Sequence, residues 1–481
     1  MILSTRFQPQ SPRRALIFRV PGEESATNAR RLARTARKAG LDVEIVPYWP
    51  DGYASEQETP LLAENIGSAP RLTARQFRRR FHFKLDLIDL SIHQFVIEPI
   101  TPRMVLPESD WSQHLRGVGA LVHERIRASR ADVVLIPHGA ETVSRILAEM
   151  TAKARRRLLY WESGFFPGHL YVDARSPHFF RGEASIDRQP MPEQPSASTI
   201  AFRDAWRSNR TSKYVQPPHS AGAQVSTWLA GDNRPILFLA GQTPHDANVA
   251  VALGRFPDLA SLYRDVLAQV PETWRILYKP HPRASHDPLA EYAASSGRFL
   301  NANVNIHDAI DASRAVLTLS SNVGLEALIR GRPVILLGKP VYWGRGLTLD
   351  LADHASLKTL LHANDLKAPS EANVLLLLEL LLTKGQLADD DSLTLQRLLR
   401  YAGRDTPKRR LPCYGATART MARAARQIAE TLPSDEAKSF ASPSPEWNAL
   451  LQRTMATVDA SSSERWTNRQ LWFWRSSQPL H

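Results

Sequence analysis

The segment Tyr278–Arg283 holds a histidine between two prolines, with a lysine and an arginine beside it. Proline restricts the backbone, so the direction of the His281 imidazole is constrained. A lone histidine is more often structural than catalytic, but the neighbouring cations favour an anion pocket in which His281 donates to a phosphate or a leaving group. We predict that the segment binds a nucleotide through Lys279, His281, Pro282 and Arg283. His281 is also a catalytic candidate.

A second segment combines small hydroxyl side chains with the start of a helix. The apolar run Ala315–Leu319 is typical of a strand, and Ser320, Ser321 and Asn322 follow it before a helical pattern begins. Such residues cap helices, and the free N–H groups at a helix start also bind anions. Capping alone explains an isolated Ser-Ser-Asn sequence equally well. The loop after the next strand favours a ligand, so we predict that all three residues bind nucleotide.

That loop, residues 339–348, has the sequence KPVYWGRGLT. Its glycines Gly344 and Gly346 allow the backbone to approach a ligand closely. Its aromatic and arginine side chains can hold a sugar or a phosphate. The predicted sugar or acceptor contacts are Tyr342, Trp343 and Arg345.

Glu162 follows a strand-like run in the first half of the chain, within the sequence WESGFF of residues 161–166. A carboxylate at a strand end can act as a base or a nucleophile if its partners lie across a cleft. A solvated or capping carboxylate is the alternative interpretation. Asp173 and Glu141 are weaker candidates of the same kind.

Gly241 and Gln242 follow the apolar run PILFLA of residues 235–240 and precede a helix. The first βα loop of a nucleotide-binding domain touches its ligand at this position. The segment has neither the G-x-G-x-x-G fingerprint nor a Walker loop, so classical dinucleotide binding and P-loop hydrolysis lose support.

No metal site is predicted. The run Asp389–Asp391 lies in a polar stretch that is typical of a solvated loop. One cysteine, Cys413, cannot form an intramolecular disulfide, as expected in a reducing cytosol. Four histidines lack the spacing of a zinc site, namely His138, His169, His178 and His245.

The formal net charge is +13, and its excess lies in short clusters such as Arg78–Arg80. No nucleic-acid-binding motif accompanies them. Each cluster alone is typical of a solvated helix face. Together the clusters suggest an anionic partner, and a membrane surface fits better than DNA. Without a signal peptide or a long apolar stretch, the predicted location is cytoplasmic, with peripheral contact at the inner membrane as an option. The aromatic, basic tail Trp466–Arg475 is expected to pack back on the first domain, membrane contact being the alternative.

Apolar runs of strand length alternate with helical patterns in two separate stretches, as in the helical pattern Asn28–Ala39 that ends before Gly40. This alternation predicts the α/β class, with two Rossmann-like domains facing a cleft. A chain of 481 residues is long enough for two cores. The predicted boundaries are 1–215 for an acceptor-side domain, 216–232 for a linker, 233–405 for a nucleotide-sugar domain, and 406–481 for C-terminal helices that pack back on the first domain.

Together these segments resemble the capsule polysaccharide biosynthesis family of KpsC- and KpsS-like bacterial Kdo transferases. Residues 162–165 (ESGF) resemble its acidic-acidic-Gly motif with a following aromatic, and residues 279–283 (KPHPR) match its K-x-H-P motif. Residues 212–214 (SKY) and 239–249 (LAGQTPHDANV) are similar to two further elements. Residues 319–348 closely follow its S-x-x-G-x-E-A-L-x-x-G-K-P-V block.

The resemblance implies the GT-B glycosyltransferase fold, a CMP-activated donor of Kdo or a related acidic sugar, and transfer with retention. It implies a capsule polysaccharide or lipid-linked acceptor, contact with capsule assembly proteins, and a CMP-sugar co-substrate without a bound cofactor. His281 would contact the CMP phosphate, Ser320 and Ser321 would bind phosphate, and Glu326 would hold the ribose or cytidine. The acidic motif would supply the catalytic carboxylate.

The chain departs from the family pattern at the second acidic position, which is Ser163. A serine cannot replace a carboxylate as base or nucleophile, so Glu162 or Asp173 would take over, or the activity is altered. Ser163 and Gly164 remain predicted sugar or acceptor contacts. The alternatives are a GT-B transferase for a UDP- or GDP-sugar, and a catalytically degenerate member that binds nucleotide or polysaccharide.

Overall fold

The computed structural model describes residues 13–402. Within that span it leaves out residues 65, 83–107, 139–141, 177, 179–183, 219–226, 229, 245, 253–255, 257–258, 285–286, 293–296, 352–355 and 364–365. The predictions for Glu141, His245, the C-terminal helices at 406–481 and the tail Trp466–Arg475 therefore lie outside the described residues.

The first half of the chain forms a sheet with helices packed on its two faces. Its strands are β1 (Arg14–Arg19), β2 (Asp42–Pro47), β3 (Val133–Pro137), β4 (Arg157–Ser163) and β5 (His169–Asp173). Its helices are α1 (Glu23–Lys38), α2 (Ala74–Phe81), α3 (Glu108–Ser129), α4 (Thr142–Lys153) and α5 (Ala197–Asn209). Strands β2, β1, β3 and β4 pair in parallel in that order, and β5 adds to β4 in antiparallel direction.

Helix α1 begins earlier than the sequence pattern predicts, at Glu23 and not at Asn28. Gly22 precedes it with a φ of 118°, and two glutamates occupy the first turn, where they interact favourably with the helix dipole. The predicted stop is confirmed: Gly40 follows the helix with a φ of 89°, as a C-terminal glycine does. The early start places Glu24 directly beyond the carboxyl end of β1.

The second half forms a sheet in which all six strands are parallel, in the order β11-β10-β9-β6-β7-β8. The strands are β6 (Ile236–Ala240), β7 (Arg275–Lys279), β8 (Phe299–Asn301), β9 (Ala315–Thr318), β10 (Val334–Leu336) and β11 (Leu349–Asp350). The helices are α6 (Ala247–Ala252), α7 (Leu259–Ala268), α8 (Ile306–Ala312), α9 (Val323–Ile329), α10 (Ser356–Ala363) and α11 (Glu371–Leu380). Every residue of the central strands β6, β7 and β9 is buried, as expected for parallel strands covered on both faces.

The chain then returns to the first sheet. A π-helical turn (Leu381–Gly385) leads to β12 (Leu387–Ala388), which pairs antiparallel with β5, and to α12 (Ser392–Ala402). Leu395 and Leu399 of α12 pack into the same core as the buried face of α1. The predicted second domain, 233–405, is therefore too long at its end, because β12 pairs with the first sheet and α12 packs against the core of that sheet.

Each sheet has one point where the strand order reverses. In the first sheet β1 lies between β2 and β3, and in the second β6 lies between β7 and β9. Open α/β sheets bind ligands beyond the carboxyl ends of the strands at such a switch point. The predicted fold class, α/β with two Rossmann-like domains, is confirmed.

Within the described part of the chain, no helix has both the length and the apolar character that crossing a membrane requires.

Candidate functional site

Loops beyond the strand ends of the two sheets face each other, and the space between these strand ends is termed the crevice. Arg283, beyond β7, forms an ion pair with Glu24, beyond β1. Asn322, beyond β9, donates from Nδ2 to the carbonyl oxygen of Phe165, beyond β4, at 2.8 Å. The loops that carry the predicted motifs of both halves therefore contact each other.

The switch point of the second sheet is bridged by two hydrogen bonds. Gln242 donates from Nε2 to Ser320 Oγ at 3.1 Å, and the Ser320 amide donates to Gln242 Oε1 at 2.9 Å. A Cβ at Gly241 would lie 2.5 Å from the Lys279 carbonyl oxygen, so only glycine lets these two strand ends approach. Gly241 and Gln242 thus shape the site, and their contact with a nucleotide stays a prediction.

The His281 side chain has a defined donor and acceptor arrangement. Its Nδ1 accepts a hydrogen bond from the Arg283 amide at 3.2 Å and lies 3.1 Å from Thr243 Oγ1. Because Nδ1 is an acceptor, the neutral ring carries its proton on Nε2. Burial, helped by the charges of Arg283 and Lys279, lowers the pKa of His281 to about 4. Near pH 7 the ring is a neutral hydrogen-bond donor.

Cations surround this imidazole. Lys279 is buried, its Nζ donates to Asn303 Oδ1 at 3.1 Å, and burial lowers its pKa. The Tyr214 ring packs edge-on against His281 with centroids 5.4 Å apart. The charged groups of Lys213 and Arg283 each lie 5.6 Å from the Tyr214 ring centroid. A phosphate is the kind of ligand that such a group of charges attracts.

A buried tyrosine supports the turn at Ser321 through a hydrogen bond. Tyr342 is 1% exposed, and its hydroxyl donates to the Ser321 carbonyl oxygen at 2.6 Å. A Cβ at Gly324 would lie 2.1 Å from that hydroxyl oxygen. The Tyr342 ring lies in the core and its hydroxyl supports the turn, so the predicted sugar contact of Tyr342 loses support.

Two other predicted ligand contacts connect the halves of the chain. Asn322 uses its side chain on Phe165, as described above, and Arg345 donates from Nη2 to the Ile186 carbonyl oxygen at 3.0 Å. Trp343 packs under the Lys339 ammonium, 4.7 Å from Nζ to the ring centroid. The structure assigns Asn322 and Arg345 to interdomain contacts, and their ligand roles stay predictions.

Glu326 is a buried carboxyl group in the first turn of α9. Its Oε1 accepts from Ser212 Oγ at 3.1 Å, while Oε2 has no hydrogen-bond partner among the described residues. Burial raises the pKa of Glu326 to about 7, although Ser212 and Lys213 act in the opposite direction. Near neutral pH this group can both donate and accept a hydrogen bond.

The predicted catalytic carboxylate Glu162 lies between two histidines whose spacing in the sequence indicates no common site. Its Oε1 is 2.9 Å from His178 Nδ1, and its Oε2 is 3.5 Å from His138 Nδ1. Burial alone would raise the pKa of Glu162, but the two imidazoles outweigh it and lower the pKa to about 2. The fold brings these three groups together from β3, β4 and the loop after β5.

Asp173, the alternative carboxylate, is held by its own loop. Its oxygens accept hydrogen bonds from the Tyr171 hydroxyl at 2.7 Å, from the amides of Arg175 and Ser176, and from the amide and hydroxyl of Ser185. These donors fill the acceptor sites of a carboxylate. A reactive role for Asp173 therefore loses support.

Ser163, the unexpected residue of the acidic motif, is bound to a carboxylate from another element. Its hydroxyl donates to Glu24 Oε1 at 2.6 Å and accepts from Asn28 Nδ2 at 2.9 Å. Gly164 is required beside it, since a Cβ there would lie 2.5 Å from the His169 carbonyl oxygen. No sequence motif selects Glu24, although its place after the first strand is a signal that could have indicated it.

The sequence of the second sheet and its loops matches a known family model. Residues 197–386 match the model of the family described as "Capsule polysaccharide biosynthesis protein". That segment carries the capsule polysaccharide biosynthesis pattern. The resemblance inferred from the motifs is confirmed over those residues.

Curated relatives match part of the chain. The chain is 28% identical over 191 residues to "Capsule polysaccharide modification protein LipA" of Neisseria meningitidis, which is 38% of this chain and 25% of LipA. It is 26% identical over 224 residues to "Protein FixF" of Sinorhizobium fredii, which is 44% of this chain and 49% of FixF. The chain thus spans a quarter to a half of the length of these relatives.

Among solved structures, the chain is similar to "Thermosulfurimonas dismutans KpsC, beta Kdo 2,4 transferase", with a TM-score of 0.40 and 19% identity. That match covers 51% of this chain and 78% of the other.

Proposed function

We propose that the chain is a glycosyltransferase that moves a sugar from a nucleotide-activated donor to a capsule polysaccharide or glycolipid acceptor in this crevice. The observation that carries the proposal is His281, a neutral imidazole that offers Nε2–H in a pocket rich in cations at a topological switch point. The capsule family match over the same loops supports a sugar-polymer substrate.

The donor phosphate would lie among the Arg283 guanidinium, the His281 Nε2–H group and the Ser320 hydroxyl. Positive charge and fixed donors stabilise the negative charge that a leaving nucleotide acquires. Glu326 Oε2, buried and without a partner among the described residues, fits a ribose hydroxyl. Ser321 would present its backbone to the same ligand.

CMP-activated Kdo, or a related acidic sugar, is the donor that we propose on the strength of the family motifs. Retention at the anomeric carbon and independence from metal belong to the same proposal. NMR of the product would test the configuration, and transfer in the presence of EDTA would test the metal. A cytoplasmic location with peripheral contact at an anionic inner membrane, and contacts with capsule assembly proteins, also remain proposals.

On the other side of the crevice, Glu162 is best suited to orient His138 and His178. A carboxylate bonded to one nitrogen of an imidazole fixes the direction and the tautomer of the ring. We expect Glu162→Gln to lower turnover at least about tenfold, with little change in donor binding.

The proposal is tested by CMP binding and by CMP release from CMP-Kdo with a panel of acceptors. His281→Ala should weaken CMP binding and lower CMP release at least about tenfold, since it removes the neutral donor. His362→Ala, which changes an exposed histidine of α10, serves as the control. Wild-type protein that releases no CMP above background in the presence of acceptors would contradict the transferase proposal.

Two alternative functions are separated by nucleotide binding. A ligand at one hundred times its dissociation constant stabilises a protein by about 2.7 kcal/mol, so thermal shifts with CMP, UDP and GDP rank the donors. CMP binding without any transfer would favour a degenerate member that binds nucleotide or polysaccharide. Ser163 in the acidic motif is the observation that motivates that second candidate.

A further inference from the structure

The Glu24 carboxylate connects the acidic motif of the first half with the cationic pocket of the second. Its Oε1 accepts from Ser163 Oγ at 2.6 Å, and its Oε2 pairs with Arg283. Asn28, one helical turn further along α1, donates to the same Ser163 hydroxyl at 2.9 Å. Ser163 therefore binds the Glu24 carboxylate close to the position at which the family motif has an acidic side chain.

The backbone that carries Glu24 is rigidly supported. The Gly22 amide donates to Asp51 Oδ2 at 2.8 Å, and Asp51 also pairs with the fully buried Arg19 at 2.7 Å. Arg19 is bound by Glu58 as well, at 2.9 Å. The turn between β1 and α1 is thus anchored at the switch point of the first sheet, where ligands bind in open α/β folds.

Glu24 is more accessible than the carboxylates that the sequence pattern selected. Its side chain is 37% exposed, against 5% for Glu162. Both oxygens of Glu162 face histidines, and Asp173 is filled by donors of its own loop. Among these three carboxylates, Glu24 alone contacts a residue of the predicted nucleotide pocket.

We propose that Glu24 is the carboxylate that accepts the proton of the acceptor hydroxyl. In this proposal Arg283 pairs with Glu24 until the donor phosphate binds and pairs with Arg283 instead. This inference rests on the proposed glycosyl transfer. Over the whole transfer, the acceptor oxygen gains a bond to the anomeric carbon and the bond from that carbon to the phosphate oxygen breaks. The electron pair leaves with the nucleotide, and the acceptor proton passes to the Glu24 carboxylate.

The exchange of partners explains how an ion-paired carboxylate becomes a base. Burial raises the pKa of Glu24, but the hydrogen bonds from Ser163 and Arg283 outweigh it, so the pKa is lowered without ligand. A phosphate that takes Arg283 removes part of the lowering and adds a negative charge nearby. Both changes raise the proton affinity of Glu24 when the donor is bound.

The test compares Glu24→Gln with wild type in the full chain. Gln keeps the size of the side chain and can still accept from Ser163, but it cannot take up a proton. We expect kcat to fall at least about 100-fold with little change in the KM for the donor, and the acid limb of the pH–rate profile to disappear. Glu23→Gln, in the same helical turn and exposed, is the matched control and should retain wild-type kcat.

CMP binding gives a readout that does not depend on turnover. Glu24→Gln should bind CMP as tightly as wild type or more tightly, because Arg283 no longer has a charged competitor. The same titration reports whether the variant is folded. Arg283→Gln should bind CMP more weakly.

A relocated carboxylate provides a second check. In the Glu24→Gln background, Ser163→Asp should recover at least about tenfold of the lost kcat, since it returns a base to the same part of the crevice. The base role is overturned if Glu24→Gln keeps kcat within about threefold of an active wild type. It is also overturned if CMP binding and kcat fall together, because Glu24 would then only connect the two halves. A wild type that binds CMP but transfers no sugar would remove the proposed function and the base role with it.

Discussion

Burial disfavours the charged forms of two groups of the crevice and so moves their pKa values in opposite directions. It lowers the pKa of His281 to about 4 and raises that of Glu326 to about 7. In both cases the charged form loses hydration that the protein replaces only in part. A nucleotide would therefore meet a neutral imidazole and a carboxyl group close to its titration midpoint.

Glu326 predicts a pH-dependent stability of the ligand-free protein. Its pKa in the folded protein, about 7, lies above the ordinary value of 4.5, so the folded state binds more protons than the unfolded state between these pH values. Stability should therefore fall as pH rises from about 4.5 through 7, by up to about 3 kcal/mol in total. Urea denaturation at pH 5.5 and pH 8 measures the loss.

Glu326→Gln provides the matched comparison, since Gln cannot ionise and can still accept from Ser212. Its free energy of unfolding should change less than that of wild type between pH 5.5 and pH 8. An equal pH dependence in both proteins would show that the fold tolerates the buried charge.

At the scale of elements, glycines decide how closely the strand-end loops approach. Gly241 lets the loop after β6 touch the end of β7, and Gly324 leaves room for Tyr342 beneath the Ser321 turn. In each case the limit comes from the atoms of a neighbouring element, so glycine serves packing there and not a special backbone conformation. The alignment of β6, β7 and β9 at the crevice depends on these approaches.

Gly324→Ala should destabilise the protein although alanine favours helices. The added Cβ would lie 2.1 Å from the Tyr342 hydroxyl oxygen, so the ring must move and its hydrogen bond to Ser321 is lost. Overpacking of this kind costs about 1–3 kcal/mol and the lost hydrogen bond about 1 kcal/mol, and together they exceed the gain in helix propensity of about 1 kcal/mol. Denaturant unfolding and CMP titration together measure the damage to the fold and to the site.

Tyr342→Phe in the Gly324→Ala background should recover part of that loss, because it removes the closest atom. Gly52→Ala is the control, since a Cβ at residue 52 meets nothing within 4 Å. Full stability of Gly324→Ala would mean that the Ser321 turn does not depend on Tyr342.

At the scale of the whole molecule, polar side chains of one half end on backbone carbonyls of the other. Asn322 donates to Phe165, and Arg345 donates to Ile186. The same core cluster contains Phe166 and Tyr171 from the first half and Leu325 from the second. These contacts therefore hold the strand ends of the two sheets next to each other at the crevice.

Asn322→Ala should reduce stability without reducing nucleotide affinity. It removes one interdomain hydrogen bond, which is worth about 1 kcal/mol, and leaves His281 and its cations unchanged. Thermal unfolding and CMP titration separate the two effects, with Asn373→Ala, an exposed position on α11, as the control. A fall of tenfold or more in CMP affinity would return Asn322 to the phosphate site predicted from the sequence.

The fold class and the strand ends that carry polar residues follow from the sequence pattern alone. Strands such as Ile236–Ala240 and Arg275–Lys279 are buried along their whole length. Successive side chains of a strand point to opposite faces of the sheet, and both faces are covered. Loops that follow parallel strands must then meet at one edge of the sheet, which is why His281 and Ser320 both lie beside the loop of Gly241 and Gln242. The local sequence pattern is therefore enough to predict the strands and the edge of the sheet at which their loops meet.

The partner of each polar side chain, by contrast, depends on how the elements pack. The polar atoms of Asp173 and Tyr342 form hydrogen bonds with neighbours that the local sequence pattern does not reveal. Strand β12 pairs with β5 of the first sheet although the two are far apart in the sequence. Glu24 is unremarked in the sequence, yet an early helix start and the packing of α1 bring its carboxylate to Ser163 and Arg283. Such pairings depend on distances between elements remote in sequence, and these are set by packing of the two cores.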